Sequence, residues 1–370
     1  MFLLKIFKRI LLGIVVVVLG LSLVTFIVMQ QKTFGRNPSG DRLKRIEKSA
    51  HYKNGSFQNL TPTDVMLKDA SYVKMIRDYF NKPANNTPQQ LIPSQKTDLK
   101  KLQSATPSIT WFGHSSYLIQ SKGVHILVDP VFSGNASPFT FFGKSFKGTD
   151  VYGLADMPKI DMVIISHDHY DHLDYKTISH LPAGTQFYTP LGVGAHLEHW
   201  GIAPDKIVEY DWWEGGKIGD SIQLTATPAR HFSGRGLQRG KTLWSSYVLN
   251  LHGYTLLIGG DSGYENHFKE IGNRFGPFDL AILESGQYGE SWPYIHMMPE
   301  ETVQAAKDLQ AKVLFPVHWS KFALAYHAWD EPIERLIKSA SQQQMKVTTP
   351  LIGEPIILDK QYPQQSWWKM

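Results

Sequence analysis

Apolar and polar positions divide the chain into three stretches that predict three kinds of structure. Residues 10–29 are a predominantly apolar run without a charged side chain, whereas residues 31–105 are polar and contain scattered prolines. Beyond this point, short apolar runs that fit strands alternate with longer stretches that fit helices. We therefore expect an apolar helix within residues 1–31, a polar extension at 32–105 and an α/β domain at 106–370.

Individual elements follow from the same pattern. Strands are predicted where apolar and β-branched residues lie between turn residues, at 108–112, 116–120, 124–128, 162–165, 186–188, 206–208, 221–227, 247–251, 254–258, 279–283 and 312–317. Helices are predicted at 67–80, 173–181, 193–200, 299–311 and 330–341. The alternation of strands and helices fits the α/β class.

The apolar run is long enough to cross a bilayer, since twenty helical residues span roughly 30 Å. Lys5, Lys8 and Arg9 precede it, as in a secretory signal. A cleaved signal peptide is the alternative, but no small-x-small cleavage site follows at residues 28–31. We expect a retained single-pass anchor in the cell membrane, with the domain on the extracytoplasmic side. Basic residues between 32 and 45 oppose that orientation.

Composition narrows the classes of function. The net charge is +5 and the pI near 9.0, with much of the excess close to the N-terminus. This distribution favours a membrane surface over a nucleic acid as the neighbour. The chain has no cysteine, which excludes disulfides, cysteine-rich zinc sites and thiol catalysis.

A stretch rich in histidine and aspartate directly follows a short buried strand. Residues 166–172 read Ser-His-Asp-His-Tyr-Asp-His. On a helix, His167 and His169 would point about 200° apart, so they can face one metal ion only from a loop. Imidazoles and carboxylates suit zinc, and one tetrahedral ion needs fewer ligands than this loop offers. The spacing predicts two metal sites, one with His167 and His169 and one with Asp171 and His172. The alternative is a solvated polar loop.

This stretch resembles the His-x-His-x-Asp-His signature of the metallo-β-lactamase superfamily. The resemblance implies an αβ/βα four-layer sandwich with further ligands at the ends of later strands, and His231, Asp261 and His318 each follow a predicted strand. It implies two zinc ions, a bridging ligand and three terminal ligands per ion: Asp261 as the bridge, His167, His169 and His231 for the first ion, and Asp171, His172 and His318 for the second. Other divalent metals stay open.

Two further histidines, His196 and His199, lie three residues apart on the predicted helix 193–200. Their spacing would allow both to bind a metal ion. Because the stretch 166–172 has better partners, we expect one of them to pack and the other to be solvated, and we expect their replacement to matter little.

Several local motifs resemble the N-acylphosphatidylethanolamine-hydrolysing phospholipase D family. They are Trp-Phe-Gly-His-Ser at 111–115, Asp-Pro-Val-Phe-Ser at 129–133, Ser-Pro at 137–138, Pro-Ala-Arg-His at 228–231, Gly-Asp-Ser-Gly-Tyr at 260–264 and His-Trp-Ser-Lys-Phe-Ala-Leu-Ala at 318–325. The resemblance implies a hydroxide that bridges the metals and cleaves a phospholipid to N-acylethanolamine and phosphatidic acid. It implies catalytic roles for Asp171 and His296, and substrate contacts from His114, Tyr288, Phe141 and Phe142. The alternative role of His296 is to cap the helix that follows it.

Aromatic residues supply a further expectation. Phe139, Phe141, Phe142 and Phe146 lie in one loop, and Trp367 and Trp368 lie at the C-terminus. Clustered aromatic side chains settle at a membrane interface, although a loop of this kind can also fold back onto the core. The expected partners are therefore a membrane phospholipid and the bilayer, with no nucleic acid, while a homodimer stays open.

Three alternative functions remain at this stage. A lactonase or β-lactamase would use the same metals on a carbonyl group. A ribonuclease relative would need an added nucleic-acid domain and a basic groove, and the sequence contains neither. A non-catalytic scaffold at the membrane would have no need of a complete set of seven ligands.

Overall fold

Two mixed β-sheets form the centre of the molecule, in a computed structural model that describes residues 2–369. The strands are β1 (Tyr52–Lys53), β2 (Ser56–Phe57), β3 (Ser108–Trp111), β4 (Tyr117–Ser121), β5 (Val124–Val128), β6 (Met162–Ile164), β7 (Gln186–Pro190), β8 (Ile207–Tyr210), β9 (Gly215–Ile218), β10 (Ile222–Thr227), β11 (Ser246–Leu251), β12 (Tyr254–Ile258), β13 (Leu280–Glu284), β14 (Leu314–Val317) and β15 (Pro355–Ile357). The α-helices are α1 (Phe2–Met29), α2 (Gly40–Ile46), α3 (Tyr72–Phe80), α4 (Tyr175–Ile178), α5 (Gly194–His199), α6 (His267–Phe275), α7 (Pro299–Asp308) and α8 (Glu331–Gln342).

The two large sheets follow the same plan. One has the strand order β15-β3-β4-β5-β6-β7-β8, and the other has the order β14-β13-β12-β11-β10-β9. In the first, β15 to β5 pair antiparallel and β5 to β8 pair parallel. In the second, β9 to β12 pair antiparallel and β12 to β14 pair parallel. Parallel strands end at the same edge of a sheet, so loops that follow them lie together.

The layers follow from alternating burial along the strands. Ile119 and Ile126 point between the sheets and pack in one core with residues of β11 and β12. Their neighbours Leu118 and Leu127 point the other way and pack with residues of α4 and α5. Buried residues of α6, α7 and α8 belong to the core that contains the six-stranded sheet. The predicted four-layer α/β sandwich is therefore confirmed.

Most predicted elements are present, with shifted ends. The hairpin of β11 and β12 lies where the pattern predicts it, and α7 and α8 do as well. The helix predicted at 173–181 contracts to α4, because Asp174 caps its first turn and the chain turns again after Ile178. The edge strands β9 and β15 were not predicted from the sequence.

The chain before the two large sheets is more closely packed than its polar composition indicates. α1, which lies entirely within the described range, buries none of its side chains and is long and apolar enough to cross a membrane. In the extension that follows, Ile46 and Phe57 pack with tryptophans of the domain. Ile92 and Leu99 are buried in its two larger cores.

The aromatic residues expected at a membrane interface divide into two groups. Phe141 and Phe142 are 77% and 54% exposed, as expected. Trp367 and Trp368, by contrast, are 7% and 3% exposed, and Phe146 is also buried. The expectation was wrong for these three, because Trp367 stacks on Trp319 within the core instead of reaching solvent.

Candidate metal centre

The loop after β6 turns back on itself and so presents several ligands to one side. The amides of His172 and Leu173 both donate to the carbonyl of His169, at 3.1 and 2.8 Å. An extended strand would send alternate side chains to opposite faces, whereas this turn brings them together. His167 and His172 are buried, as are the other predicted ligands of the later strands.

All seven predicted ligands lie in two adjoining groups. Within each group, one potential ligand atom per residue lies within 4.8 Å of the others. The groups are His167, His169, His231 and Asp261, and His114, Asp171, His172 and His318. The division is the one that the resemblance implies, with His114 as an additional member of the second group.

The carboxylate of Asp261 faces both groups. Its Oδ2 atom lies 3.7 Å from Nε2 of His167 and 3.7 Å from Nε2 of His231. Its Oδ1 atom lies 3.2 Å from His172 Nε2 and 3.2 Å from His318 Nδ1. Gly260 adopts a φ of +60°, and a Cβ there would lie 2.8 Å from that of Ser166, so only glycine lets this turn approach the loop.

These atoms fit divalent metal ions. Ligand distances of about 2.0–2.1 Å around a tetrahedral zinc ion place neighbouring ligand atoms roughly 3.3 Å apart. The separations around Asp261 and the 3.2 Å between His231 Nε2 and His169 Nδ1 are close to that value. Within the described residues, His172 Nε2 and Asp261 Oδ1 are buried without a hydrogen-bond partner. Buried polar atoms of this kind are costly unless an ion binds them.

Several residues that were not predicted from the sequence orient these ligands. Asp129, at the end of β5, lies 2.8 Å from Nδ1 of His172 and also accepts hydrogen bonds from Ser166. The Ser115 hydroxyl lies 2.9 Å from Nδ1 of His318. Nδ1 of His231 lies 2.8 Å from the carbonyl of Ile295. For His172 and His231 the partner lies on the second ring nitrogen, which fixes the orientation and tautomer of a metal-binding histidine, whereas Ser115 contacts the same nitrogen of His318 that faces Asp261.

His114 lies behind the ligands and does not line the cavity. It is buried, with Nε2 2.8 Å from Oδ2 of Asp171 and its ring 4.1 Å from that of His318. His114 and His318 both adopt left-handed backbone conformations, and the His318 amide donates to the His114 carbonyl at 2.9 Å. The structure thus gives His114 a contact with Asp171, and its contact with substrate stays a prediction.

Electrostatics divide the ligands into neutral and charged groups. Burial holds the pKa of His167 and His231 well below the usual value, so these rings are neutral, as metal binding requires. Burial opposes ionisation of Asp261 as well, but His172 and His318 outweigh it and hold the pKa of Asp261 well below its usual range. Burial likewise opposes protonation of His172, yet the carboxylates of Asp261, Asp171 and Asp129 raise its pKa.

His296 lies beside the ligands and pairs with a buried carboxylate. Its Nδ1 is 3.4 Å from Oε1 of Glu284, which also accepts a hydrogen bond from the Met297 amide at 2.7 Å. Burial raises the pKa of Glu284 to about 7, and His296 counteracts part of that effect. Burial lowers the pKa of His296, but the Glu284 carboxylate outweighs burial and raises it. Glu284 was not predicted from the sequence.

A cavity of 240 Å³ opens above the ligands. Its floor includes His169, Asp171, His231, Asp261, His296 and His318, and its walls include Val65, Met66, Phe232, Trp292 and Leu324. A second cavity, of 510 Å³, shares Trp292 with the first and is lined by Tyr288, Tyr326 and Arg335. Tyr288 therefore lines the neighbouring cavity, where its hydroxyl donates to Glu331. Phe141 and Phe142 line neither of these two cavities.

His196 and His199 lie apart from both ligand groups. His196 is buried, with Nε2 3.2 Å from Oδ2 of Asp168, whereas His199 is half-buried at the end of α5. One therefore packs and the other reaches solvent, as expected.

Comparison with known proteins agrees with this arrangement. A model of the β-lactamase superfamily domain matches residues 125–319. An uncharacterized protein of Mycobacterium tuberculosis is 39% identical over 331 residues, which cover 88% of each chain. The chain belongs to the β-lactamase superfamily. Within this superfamily, the N-acyl-phosphatidylethanolamine-hydrolyzing phospholipase D 1 of Caenorhabditis elegans is 33% identical over 228 residues, 58% of this chain and 64% of that one.

Solved structures of the β-lactamase superfamily fold agree as well. A metallo hydrolase of the archaeon Ignicoccus hospitalis superposes with a TM-score of 0.53 at 23% identity, covering 69% of this chain and 100% of that chain. At this identity the likeness concerns the fold. The match to the superfamily model and the buried histidine and aspartate groups support a metal-dependent hydrolase fold with clusters able to bind metal.

Proposed function

We propose that this protein is a zinc-dependent phosphodiesterase that hydrolyses N-acylphosphatidylethanolamine-type phospholipids to N-acylethanolamine and phosphatidic acid. The observation that carries the proposal is the Asp261 carboxylate, whose two oxygens face two groups of buried ligands at the floor of one cavity. The similarity to the nematode phospholipase D over 58% of this chain supports the substrate class.

The ligands are assigned as the resemblance implies. Two zinc ions would share Asp261, with His167, His169 and His231 holding one of them and Asp171, His172 and His318 holding the other. Divalent ions held by these residues would supply a water of lowered pKa and would neutralise the charge of a phosphodiester. The predominance of imidazole ligands favours zinc over magnesium or calcium.

Two residues of the chain handle protons beside this centre. Asp171 is fixed by His114 and lines the cavity, where it orients the attacking water and accepts a proton from it. His296, whose pKa is raised by Glu284, donates a hydrogen bond to a phosphate oxygen or a proton to the departing alkoxide. Water adds across the phosphorus–oxygen bond on the head-group side, so the products carry one hydroxyl and one phosphate monoester.

The surroundings of the centre suit a lipid. Apolar side chains form the walls of the metal-site cavity, while its charged groups lie at the floor. α1 would hold this opening near a bilayer, with the domain on the extracytoplasmic side, and the exposed Phe141 and Phe142 are residue types that enter a membrane interface. The neighbouring cavity lined by Tyr288 has room for a further part of the substrate.

A direct test is to incubate the full chain with N-acylphosphatidylethanolamine in mixed micelles and to identify the products by mass spectrometry. We expect phosphatidic acid and N-acylethanolamine, with hydrolysis lost after chelation and restored by zinc. Lysolipid with free fatty acid would mean ester cleavage and contradict the proposal. Rapid opening of a lactone or a β-lactam without turnover of the phospholipid would identify a hydrolase that acts on a carbonyl.

A further inference from the structure

The segment directly after α1 is bound to the rear of the metal loop. We call residues 32–36 the linker and residues 167–172 the metal loop. The indole of Trp200 donates to the linker at the Lys32 carbonyl, at 2.6 Å. The guanidinium of Arg235 donates twice to the Thr33 carbonyl, at 2.7 and 3.1 Å. The linker therefore forms hydrogen bonds with Trp200 and with Arg235, and Arg235 also contacts the metal loop.

A hydrogen-bonded chain leads from the linker to Asp168, which stands between the ligands His167 and His169. The Arg36 amide donates to Nδ1 of His196 at 3.0 Å, and Nε2 of His196 lies 3.2 Å from Oδ2 of Asp168. Because Nδ1 accepts, the neutral His196 ring carries its proton on Nε2 and donates it to Asp168. One imidazole thus joins the linker backbone to the metal loop.

Both carboxylate oxygens of Asp168 accept hydrogen bonds. Oδ1 accepts from the Gly234 amide at 2.7 Å, and Oδ2 accepts from the Thr242 hydroxyl at 3.0 Å in addition to His196. Burial opposes its ionisation, but the contacts with His196, together with His169 and the Gly234 amide, outweigh burial and lower the pKa of Asp168. The residue is only 2% exposed, so these bonds hold it in one position.

Arg235 binds backbone carbonyls near the two ends of the metal loop. Its Nη1 donates to the carbonyls of Asp168 and Leu173, at 2.7 Å each, while its other nitrogens donate to Thr33. The guanidinium lies 4.1 Å from the ring centre of Tyr170 and 5.2 Å from that of Trp200. A buried, bidentate arginine of this kind fixes the geometry of the groups it joins.

The linker approaches His196 so closely that its own sequence is constrained. Gly35 adopts a φ of +69°, and a Cβ there would lie 2.1 Å from Nδ1 of His196. A larger residue would displace either the linker or the ring. Gly40 offers a comparison, since it has a similar φ of +59° but nothing within 4 Å of its Cβ position.

We propose that Asp168, His196 and Arg235 are positioning residues for the metal loop, and that the linker is part of the metal site. Through these three residues, the linker that follows α1 determines the arrangement of His167, His169 and Asp171. The proposal rests on the metal site proposed above and is independent of the substrate. It also revises the expectation that replacing His196 matters little.

The test uses the full chain in detergent, with metal affinity measured by chelator competition and coordination measured by the absorption spectrum of the cobalt-loaded protein. His196→Leu breaks the link, and we expect metal affinity to fall about 10- to 100-fold, as for other residues that orient metal ligands. His196→Gln keeps one acceptor and one donor, so we expect it to restore most of the affinity and the spectrum. His199→Leu, on the same helix, should match the wild type.

A second pair of variants tests the linker itself. Gly35→Ala should weaken metal binding and change the cobalt spectrum, whereas Gly40→Ala, with the same backbone strain but open space, should not. This pair also decides the matter if His196→Leu does not fold. Wild-type affinity and spectrum in both His196→Leu and Gly35→Ala would overturn the inference. Loss of metal in these variants, from a wild type that hydrolyses no phospholipid, would reject the proposed substrate and leave the inference standing.

Discussion

At the scale of single residues, Asp261 differs from the other proposed ligands because its carboxylate faces both groups. The terminal ligands each serve one group, but Asp261 presents one oxygen to each of them. Four histidines have a ring nitrogen within 4 Å of its carboxylate oxygens, namely His167, His172, His231 and His318. Neutralising it therefore affects both proposed ions at once.

We expect Asp261→Asn to bind less than one metal equivalent per chain and to lose more than about 100-fold in activity, because both ions lose a charged ligand. His231→Gln removes a terminal ligand of one group and should lose less. The measurement is metal analysis together with hydrolysis rate on the purified full chain. Nearly normal metal content and activity in Asp261→Asn would remove this residue from the centre.

At the scale of elements, the strands that carry the ligands could be predicted, because apolar runs bounded by turn residues mark buried strands. The edge strands could not. β9 contains two glycines and β15 begins with a proline, so neither has the composition of a strand, and each pairs on one side. Their position depends on a neighbour distant in sequence.

Part of the candidate site also could not be predicted from the sequence alone. The seven proposed ligands follow a recognisable spacing, whereas Asp129 and Glu284 look like ordinary carboxylates at the ends of strands. What makes them partners of His172 and His296 is tertiary packing. The role of Trp367 was misjudged for a related reason, since an aromatic residue near a terminus suits a membrane interface and a core equally well.

The C-terminal segment is therefore a structural element, and its removal should be costly. Trp367 packs among Trp111, Trp319, Trp329 and Trp368. Within the described residues its indole nitrogen has no hydrogen-bond partner, so its contribution comes from packing. We expect Trp367→Ala to lower the free energy of unfolding by about 3–5 kcal/mol.

Denaturant unfolding followed by near-ultraviolet circular dichroism measures this difference. The matched control is Phe141→Ala, which removes a 77% exposed ring and should change stability by no more than about 0.5 kcal/mol. Equal stability of the two variants would show that the C-terminal tryptophans do not contribute to the core.

At the scale of the whole molecule, α1 packs little against the domain, but the linker that follows it is bound to the domain. α1 buries no side chain against the domain, whereas Lys32, Thr33 and Arg36 are hydrogen-bonded to it. We expect removal of residues 1–31 to release soluble protein that binds metal and hydrolyses a short-chain, water-soluble substrate. The measurements are size-exclusion chromatography, metal analysis and a kinetic assay.

A cut placed six residues later is the informative control. Removal of residues 1–37 also removes the linker, so metal affinity should fall while the remaining domain stays soluble. Identical metal affinity in the two fragments would contradict the role assigned to the linker. A folded, metal-loaded fragment 32–370 that is inactive on a soluble substrate would mean that α1 contributes to catalysis.

The pairing of β15 with β3 has a consequence for biosynthesis. β3 begins at Ser108, but its edge partner begins at Pro355, so the two strands leave the ribosome far apart in time. At roughly 5–20 residues per second, translation of the intervening residues takes on the order of 10–50 seconds. During that interval β3 has one open edge, and Trp111 lacks its partner Trp367. A nascent chain that stalls before Pro355 would expose this edge to chaperones and proteases.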